Sequence, residues 1–276
     1  MGSPEQELTC RVAVITGSTR GLGYAMARLL GRHGAAVVVA SRSEADVDSA
    51  VERLRAEGIT ASGRRCDTGD LADVEALRDT ALELGTLDIW VNNAGAAGIY
   101  GPTASTPVDD FAGVVRTNIL GTLHGSRVAL PVFLAQGHGD LVNVYGHGDR
   151  GPVPLQNAYA SSKRCVRQFT ETVRAETKGT GVRVHGFNPG LVITDLLGHV
   201  QTQAGHEKRI AGVQIVVGLW GQTPDVAARP LLDLVTSDAA AYRDLRTTTM
   251  LTRGVRNLLA GRLRRDRRMP LDVTVV

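Results

Sequence analysis

The stretch VAVITGSTRGLGYAMARLL, Val12 to Leu30, constrains the fold more than any other part of the chain. RVAVIT (11–16) is a short apolar run of the kind found in strands buried on both faces. Three glycines follow, and then Leu22, Met26, Leu29 and Leu30 recur at helical spacing. A strand apolar on both faces needs helices on each side of its sheet, which is the condition of a parallel sheet. The alternation continues. AAVVVAS (35–41) is a second strand, and a helix over 44–57 ends at Gly58. A weakly patterned third strand lies near 59–66, and Leu71, Val74, Leu77 and Ala81 mark the next helix. LDIWVN (87–92), DLVNVY (140–145) and VRVHGF (182–187) are strands four to six. The pattern predicts an α/β protein: a Rossmann-like doubly wound fold, with a mostly parallel sheet flanked by helices and joined by right-handed crossovers.

No linker, repeat or low-complexity tract interrupts the pattern, so residues 1–276 are expected to form a single domain. The region 195–224 breaks the alternation and is a candidate substrate flap. The net charge is +3, yet Arg253 to Arg268 holds seven Arg and one Asp, so the basicity belongs to a C-terminal tail at 253–276. A solvated helix face or a flexible tail accounts for that run. With no aromatic residue among these arginines, nucleic-acid binding is not expected. No apolar run reaches about 18 residues, which argues against a membrane span. The first ten residues, MGSPEQELTC, lack the regions of a secretory signal, and a cytoplasmic location is expected. Cys10, Cys66 and Cys165 form no pair and no metal spacing, so reduced, small buried thiols and no metal are expected.

Gly17, Gly21 and Gly23 lie between the first strand and the first helix in the order G-x-x-x-G-x-G. Glycines there let the chain turn tightly and let backbone N–H groups approach a pyrophosphate at a helix N-terminus. Where strand two ends, a site for NAD(H) would place an acid to hold the ribose hydroxyls. Here the strand ends Ala40-Ser41-Arg42-Ser43, with no carboxylate before Glu44, and Arg20 in the glycine turn is a second cation. Two guanidinium groups and a serine hydroxyl suit a 2′-phosphate. The expected cofactor is therefore NADP(H).

With Thr16-Gly17-x-x-x-Gly21-x-Gly23, NNAG at Asn92–Gly95 and YASSK at Tyr159–Lys163, the chain resembles the short-chain dehydrogenase/reductase family over about residues 10–195. The resemblance implies a twisted sheet of about seven strands, with the cofactor along their C-terminal ends. It implies cofactor contacts from Gly17, Thr19, Arg20, Gly21, Leu22 and Gly23, and from Ser41 and Arg42. Asp67, beside Thr68 in CDTGD, matches the acid that contacts adenine. Asn93, Ala94 and Gly95 belong to the second motif, and Asn118 in RTNILGT matches an active-site asparagine. Pro189, Gly190, Val192 and Thr194 in NPGLVITD match the segment along the nicotinamide. Tyr159 and Lys163 contact the cofactor and carry the chemistry. A homodimer or homotetramer is implied, a dimer through helices around 105–135 and 159–178. Many relatives end in a glycine-rich strand near residue 250. Here Thr247–Thr252 is the candidate final strand.

The physical case for Tyr159 and Lys163 stands beside the resemblance. Four residues apart on a helix, they share one face. A neighbouring ammonium favours the phenolate and is expected to lower the tyrosine pKa from near 10. So tuned, the phenol gives a proton to a developing alkoxide or takes one from an alcohol. The family's serine, thirteen residues before the tyrosine, is replaced by Gly146. Deleting one donor of this kind costs about two to three powers of ten in rate. His147 is one candidate replacement, and Tyr145 is another, although strand alternation turns it to the opposite side. A third reading needs no donor, because Gly146 makes room for a bulkier group or another pose.

The expected function is an NADP(H)-dependent oxidoreductase that moves hydride to or from a small hydrophobic organic molecule. A ketone/alcohol pair is the default, and C=N and C=C bonds stay open because the serine is missing. Leu196, Leu197, Ile210, Val213, Ile215, Val216, Val217, Leu219 and Trp220 give the flap its apolar character. A redox-neutral isomerase, lyase or cyclase on the same scaffold is the second reading. A non-enzymatic NADP(H) sensor is the third.

Overall fold

The computed structural model describes residues 7–207, 210, 216–217, 219–237, 242–243 and 272–276. Each apolar run becomes a strand close to its expected limits. β1 (Val12–Thr16) leads through the glycine turn into α1 (Gly21–Arg32). β2 (Ala36–Ser41), α2 (Glu44–Ala56), β3 (Ala61–Arg65), α3 (Leu71–Leu82) and β4 (Leu87–Asn92) follow. α4 (Val108–Val115) runs through a π-helical turn at Arg116–Leu120 into α5 (Gly121–Gln136). β5 (Gly139–Val144), α6 (Asn157–Glu176) and β6 (Val182–Phe187) complete the portion that the pattern made legible.

Beyond β6 come a short helix α7 (Asp195–Gly198), β7 (His199–Thr202), α8 (Pro224–Thr236), β8 (Tyr242–Arg243) and β9 (Asp272–Val275). Seven strands form one parallel sheet in the order β3-β2-β1-β4-β5-β6-β8. The seventh is a two-residue pairing of Tyr242 and Arg243 with Gly186 and Phe187. The strand expected at Thr247–Thr252 lies outside the described residues, as does Arg253 to Arg268. The last residues of the supposed tail are not a basic appendage: β9 pairs with β7 in a separate two-stranded parallel sheet.

Side chains alternate across the sheet, as the period of a strand requires. Ile15, Val37, Val39, Ile89 and Val91 pack under α1, α2 and α8. Val14, Val38, Trp90, Leu141 and Val184 pack under α3, α5 and α6. Cys66 is buried, but Cys10 and Cys165 are exposed, contrary to the expectation of buried thiols, and all three are free.

A buried polar chain locks α6 to the sheet. Trp90 Nε1 donates to Asn92 Oδ1 (2.8 Å), Asn92 Nδ2 to Asn143 Oδ1 (2.8 Å), and Asn143 Nδ2 to Thr170 Oγ1 (2.9 Å). Satisfied networks of this kind specify one packing arrangement. The strand order reverses between β1 and β4, and ligands of doubly wound sheets bind outside the strand C-termini at such a point. Among the described residues no helix is long and apolar enough to cross a membrane, and no cluster of side chains could hold a metal ion.

The opposite end of the sheet is closed by a buried carboxylate. Asp140 is 2% exposed. Arg183 Nη2 donates to its Oδ2 (2.7 Å), and His185 Nε2 lies 2.8 Å from its Oδ1. Arg183 also donates to the carbonyls of Val235 (2.9 Å) and Ser237 (3.1 Å), so one ion pair ties β5 and β6 to the end of α8. Asp140→Ala removes the buried carboxylate that Arg183 and His185 share, and the expected loss is about 3–5 kcal/mol of unfolding free energy. Urea denaturation measures it, and a loss under about 1 kcal/mol would mean that the cluster behaves like a surface pair.

Candidate active site

The glycine turn and the second motif are built as one unit. Gly17 (φ +62°) and Gly21 (φ +56°) take left-handed conformations. A Cβ on Gly17 would stand 2.9 Å from Ala94 Cα, and one on Gly23 would meet Asn93 Nδ2 at 2.6 Å and collide with the Gly17 carbonyl. Thr16 Oγ1 donates to the Val91 carbonyl (3.3 Å) and accepts from the amides of Asn93 (3.0 Å) and Ala94 (3.1 Å). The Asn93 amide group returns bonds to the carbonyls of Thr16 (2.9 Å) and Gly17 (3.0 Å). Ser18 ties the turn to strand two, since its hydroxyl accepts from the Ala40 amide at 3.0 Å. Arg53 braces the turn by donating to the Thr19 carbonyl (2.8 Å) while stacked over Tyr24.

These residues fit a dinucleotide. The side-chain-free cradle opens at the N-terminus of α1, where no side chain caps the helix amides. Arg20 is exposed and lies 3.5 Å from the Asp195 carboxylate. Arg42 is exposed at the end of β2, and the Ser41 hydroxyl bonds within its own turn, to Ser43. Asp67 Oδ1 accepts from the Gly69 amide (2.9 Å), which holds the carboxylate in a fixed turn beside buried Thr68. Leu22 packs against the core beneath the turn.

The segment after β6 is fixed by a residue that sequence reasoning missed. Gln222, in the supposed flap, is buried and donates through Nε2 to the Pro189 carbonyl. Its backbone takes a bond to the Leu191 carbonyl (3.0 Å) and accepts one from the Ile193 amide (2.9 Å), opposite Val192. Gly190 (φ +73°) makes the turn. Thr194 Cγ2 then comes within 3.2 Å of where a Cβ on Gly21 would stand. A glutamine inside an apolar stretch was the only sequence signal for this clamp.

Tyr159 and Lys163 share one face of α6, as their spacing requires. Lys163 is buried, donates to the Val144 carbonyl (3.0 Å) and lies 5.6 Å from the Tyr159 ring centre. Asn118 sits in the π-helical turn, an irregularity frequent at functional sites. It accepts from the Ala96 amide (2.8 Å) and donates to the Ala96 carbonyl (3.0 Å) and Ser162 Oγ (2.8 Å). Gly95 joins these groups: a Cβ there would stand 3.5 Å from Asn118 Oδ1 and 3.8 Å from Lys163 Nζ. Lys163 and the glycine turn are therefore joined through Asn93, Ala94 and Gly95.

The two glycines after β5 have separate physical reasons. A Cβ on Gly146 would collide with the Tyr159 hydroxyl and stand 3.0 Å from its Cζ, so the phenol occupies the place a serine side chain would take. Gly146 thus opens no room for a larger substrate group, as one sequence reading had it. Gly148 (φ +100°) presses on α6, where a Cβ would stand 2.5 Å from that of Ala160. Asp149, also missed as a site residue, closes the turn by donating from its amide to the Gly146 carbonyl (3.2 Å). Arg164 donates to its carbonyl (3.0 Å) and Arg167 to its buried carboxylate (3.2 Å). Tyr145 does not replace the serine. Strand alternation turns it away, onto Gly186 of β6, where its hydroxyl fills the space of the absent side chain, with Arg167 over its ring. His147 is exposed on the loop.

The electrostatics differ from the expected lowering of the tyrosine pKa. Burial, with a smaller contribution from Asp149, pushes the Tyr159 phenol up to about 12. Burial also pushes the Lys163 ammonium down to about 8, against an opposing push from Asp149. In the free protein burial, and not the neighbouring ammonium, sets the direction of the Tyr159 shift.

A family model described as short chain dehydrogenase matches residues 11–205. The chlorophyll(ide) b reductase NOL of Arabidopsis thaliana is 40% identical over 192 residues, covering 67% of this chain and 55% of that protein. The 4-formylbenzenesulfonate dehydrogenase TsaC1/TsaC2 of Comamonas testosteroni is 33% identical over 240 residues, 85% of this chain and 94% of that protein. The chain spans about half the length of the chlorophyll(ide) b reductases it matches. Among solved structures, a variant of actinorhodin polyketide ketoreductase with NADPH superposes with a TM-score of 0.76 at 28% identity, covering 88% of this chain and 96% of that one.

Lys163 offers a test that needs no substrate. The chain has three lysines, Lys163, Lys178 and Lys208, so its Cε resonance is separable and is expected to titrate near pH 8. A folded pKa near 8, below the unfolded value of about 10.4, means that the unfolded chain binds more protons between those limits. Stability therefore rises with pH there, and wild type gains about 3 kcal/mol on Lys163→Met across that window. A flat difference between the two proteins would place the ammonium in contact with water.

Proposed function

The chain belongs to the short-chain dehydrogenase/reductase family, and on that premise we propose that it is an NADP(H)-dependent reductase of a bulky hydrophobic carbonyl compound. The observation that carries this reading is the Tyr159 hydroxyl, seated over Gly146 with the Lys163 ammonium behind it. A phenol held near 12 keeps its proton at neutral pH. It is then an acid, ready for the oxygen of a carbonyl that is being reduced. The bound nicotinamide supplies the hydride. Asn118 and Gly95 hold the inner wall, and Lys163 stabilises the charge that Tyr159 takes on as its proton leaves. With no serine, Tyr159 is the principal donor to the substrate oxygen, and His147 on the adjoining loop is the second.

NADP(H) is favoured by Arg20, Ser41 and Arg42 where strand two ends, with no carboxylate before Glu44. The bound NADPH of the actinorhodin ketoreductase variant supports the same choice. The names of the relatives, a chlorophyll(ide) b reductase and a formylbenzenesulfonate dehydrogenase, support a carbonyl on a bulky ring system. The flap supports it too. Ile210 and Val217 anchor it in the interior, while Leu219 and Trp220 are half-buried.

Incubation with NADPH and a panel of ring-bearing aldehydes and ketones tests the reading through absorbance at 340 nm. NADPH is consumed in step with alcohol formation, and Tyr159→Phe lowers turnover at least about a hundred-fold. The rate holds up to about pH 8 and declines above it as Lys163 loses its charge. Product formed without NADPH consumption would point to a redox-neutral reaction instead. If His147→Ala keeps the wild-type rate, His147 is not the second donor.

The cofactor choice is tested separately. Arg42→Ala weakens NADPH binding by about ten-fold or more and leaves NADH unaffected, since a charge-assisted pair contributes about 1.5–3 kcal/mol. Equal affinities before and after the change would remove Arg42 from the site.

A further inference from the structure

We infer that Asp195 competes with the cofactor's 2′-phosphate for Arg20, so that the Arg20–Asp195 pair is a latch that NADP(H) opens and NAD(H) leaves closed. The inference rests on the NADP(H) reading above and adds a specificity-determining residue to it. Two neighbouring residues of the glycine turn face two neighbouring residues at the base of the flap. Arg20 Nη1 lies 3.5 Å from Asp195 Oδ2, and the position of a Cβ on Gly21 lies 3.2 Å from Thr194 Cγ2. The side chains of Arg20 and Asp195 are 76% and 60% exposed, so a ligand reaches both without displacing core.

The partner that Arg20 holds in the free protein is a single carboxylate oxygen at long range. A phosphate monoester carries between one and two negative charges at neutral pH and offers three acceptor oxygens, which suits a guanidinium fork better. It therefore takes Arg20 from Asp195. An unphosphorylated ribose offers no such competitor, so with NAD(H) the pair persists. Asp195 thus acts against the phosphate by occupying the cation that would receive it.

The consequence reaches the flap because of where Asp195 stands. The chain before it is clamped, with Pro189, Leu191 and Ile193 all bonded to Gln222. The chain after it is α7, whose Gly198 amide donates to the Thr194 carbonyl (2.9 Å), and then β7. β7 is held by Tyr100 on one side and by β9 on the other. Asp195 is thus the first residue of the flap past its clamp, and the latch is the polar contact that joins it to the cofactor turn.

Equilibrium titration of NADPH and NADH against wild type, Asp195→Asn, Arg20→Ala and the double variant tests the latch, read from nicotinamide fluorescence. An exposed pair of this kind is worth up to about five-fold in an equilibrium. Asp195→Asn is therefore expected to tighten NADPH about two- to five-fold and to leave NADH unchanged. Arg20→Ala alone is expected to weaken NADPH, and Asp195→Asn added to it should bring little further change. If Arg20→Ala leaves NADPH affinity intact, Arg20 does not bind the phosphate, and the latch fails together with that part of the cofactor reading. If Arg20→Ala weakens NADPH but Asp195→Asn does nothing, weakens it, or shifts NADPH and NADH alike, the latch fails and the cofactor reading survives. A tightening that persists undiminished in the double variant is charge repulsion without a pair, and it also overturns the latch.

Discussion

One side chain holds the two halves of the site in register. Thr16, the last residue of β1, accepts the amides of Asn93 and Ala94 on its hydroxyl and donates to Val91. Asn93 returns two bonds to the glycine turn. The seam lies where the strand order reverses, the point at which a parallel sheet opens a crevice. Because Gly95 follows directly and lies against Asn118 and Lys163, the same seam fixes the distance from the glycine turn to Lys163. Few polar atoms sit there, they are largely buried, and each has a partner, so a local shift would leave several unsatisfied at once.

The loop after β5 follows a different logic. Gly146 and Gly148 are required because α6 comes too close for side chains, at the Tyr159 hydroxyl in one case and at Ala160 in the other. A serine at 146 would need Tyr159 elsewhere. The absence of a side chain at 146 is therefore coupled to the position of the Tyr159 phenol. Asp149 stabilises this arrangement by closing the turn and receiving Arg167 on its carboxylate. The same buried charge works against burial at Lys163 and adds to it at Tyr159. In the free protein the phenol thus keeps its proton, where the four-residue spacing alone suggested a lowered pKa.

The strands and helices up to Phe187 were legible because periodicity reports burial directly: Val14 and Ile15 alternate between two helix layers, as a two-sided strand must. The motif residues were legible because glycine, asparagine, tyrosine and lysine stand at spacings that chemistry restricts. What escaped was set by contacts between distant residues. Nothing near Gln222 announces that its side chain will meet Pro189, and nothing near Asp149 announces Arg167. The direction of the Tyr159 shift escaped for a related reason. The neighbouring ammonium is visible in sequence, whereas the desolvation that sets the shift depends on how the fold packs around the pair. β9 was illegible as well, since four mostly exposed residues (DVTV) acquire a strand conformation only through β7.

The attachments of the flap differ in strength, and the difference decides where it can move. The Gln222 clamp is buried, with several bonds shielded from water. The Tyr100–β7–β9 sheet is a short ladder whose outer strand is largely exposed, and ladders of this size are marginal without a packed face. The Arg20–Asp195 pair is a single exposed contact, weaker than either. Local opening proceeds from the least stable unit. Among these described attachments the contact at Asp195 should therefore open first, with the segment up to Ile193 as its fixed side. A ligand that takes Arg20 would act at an attachment whose loss costs little, leaving the Gln222 bonds to Pro189, Leu191 and Ile193 intact. In that arrangement the glycine turn and the segment after Thr194 are coupled through the Arg20–Asp195 contact, and Tyr159 on α6 takes no part in it.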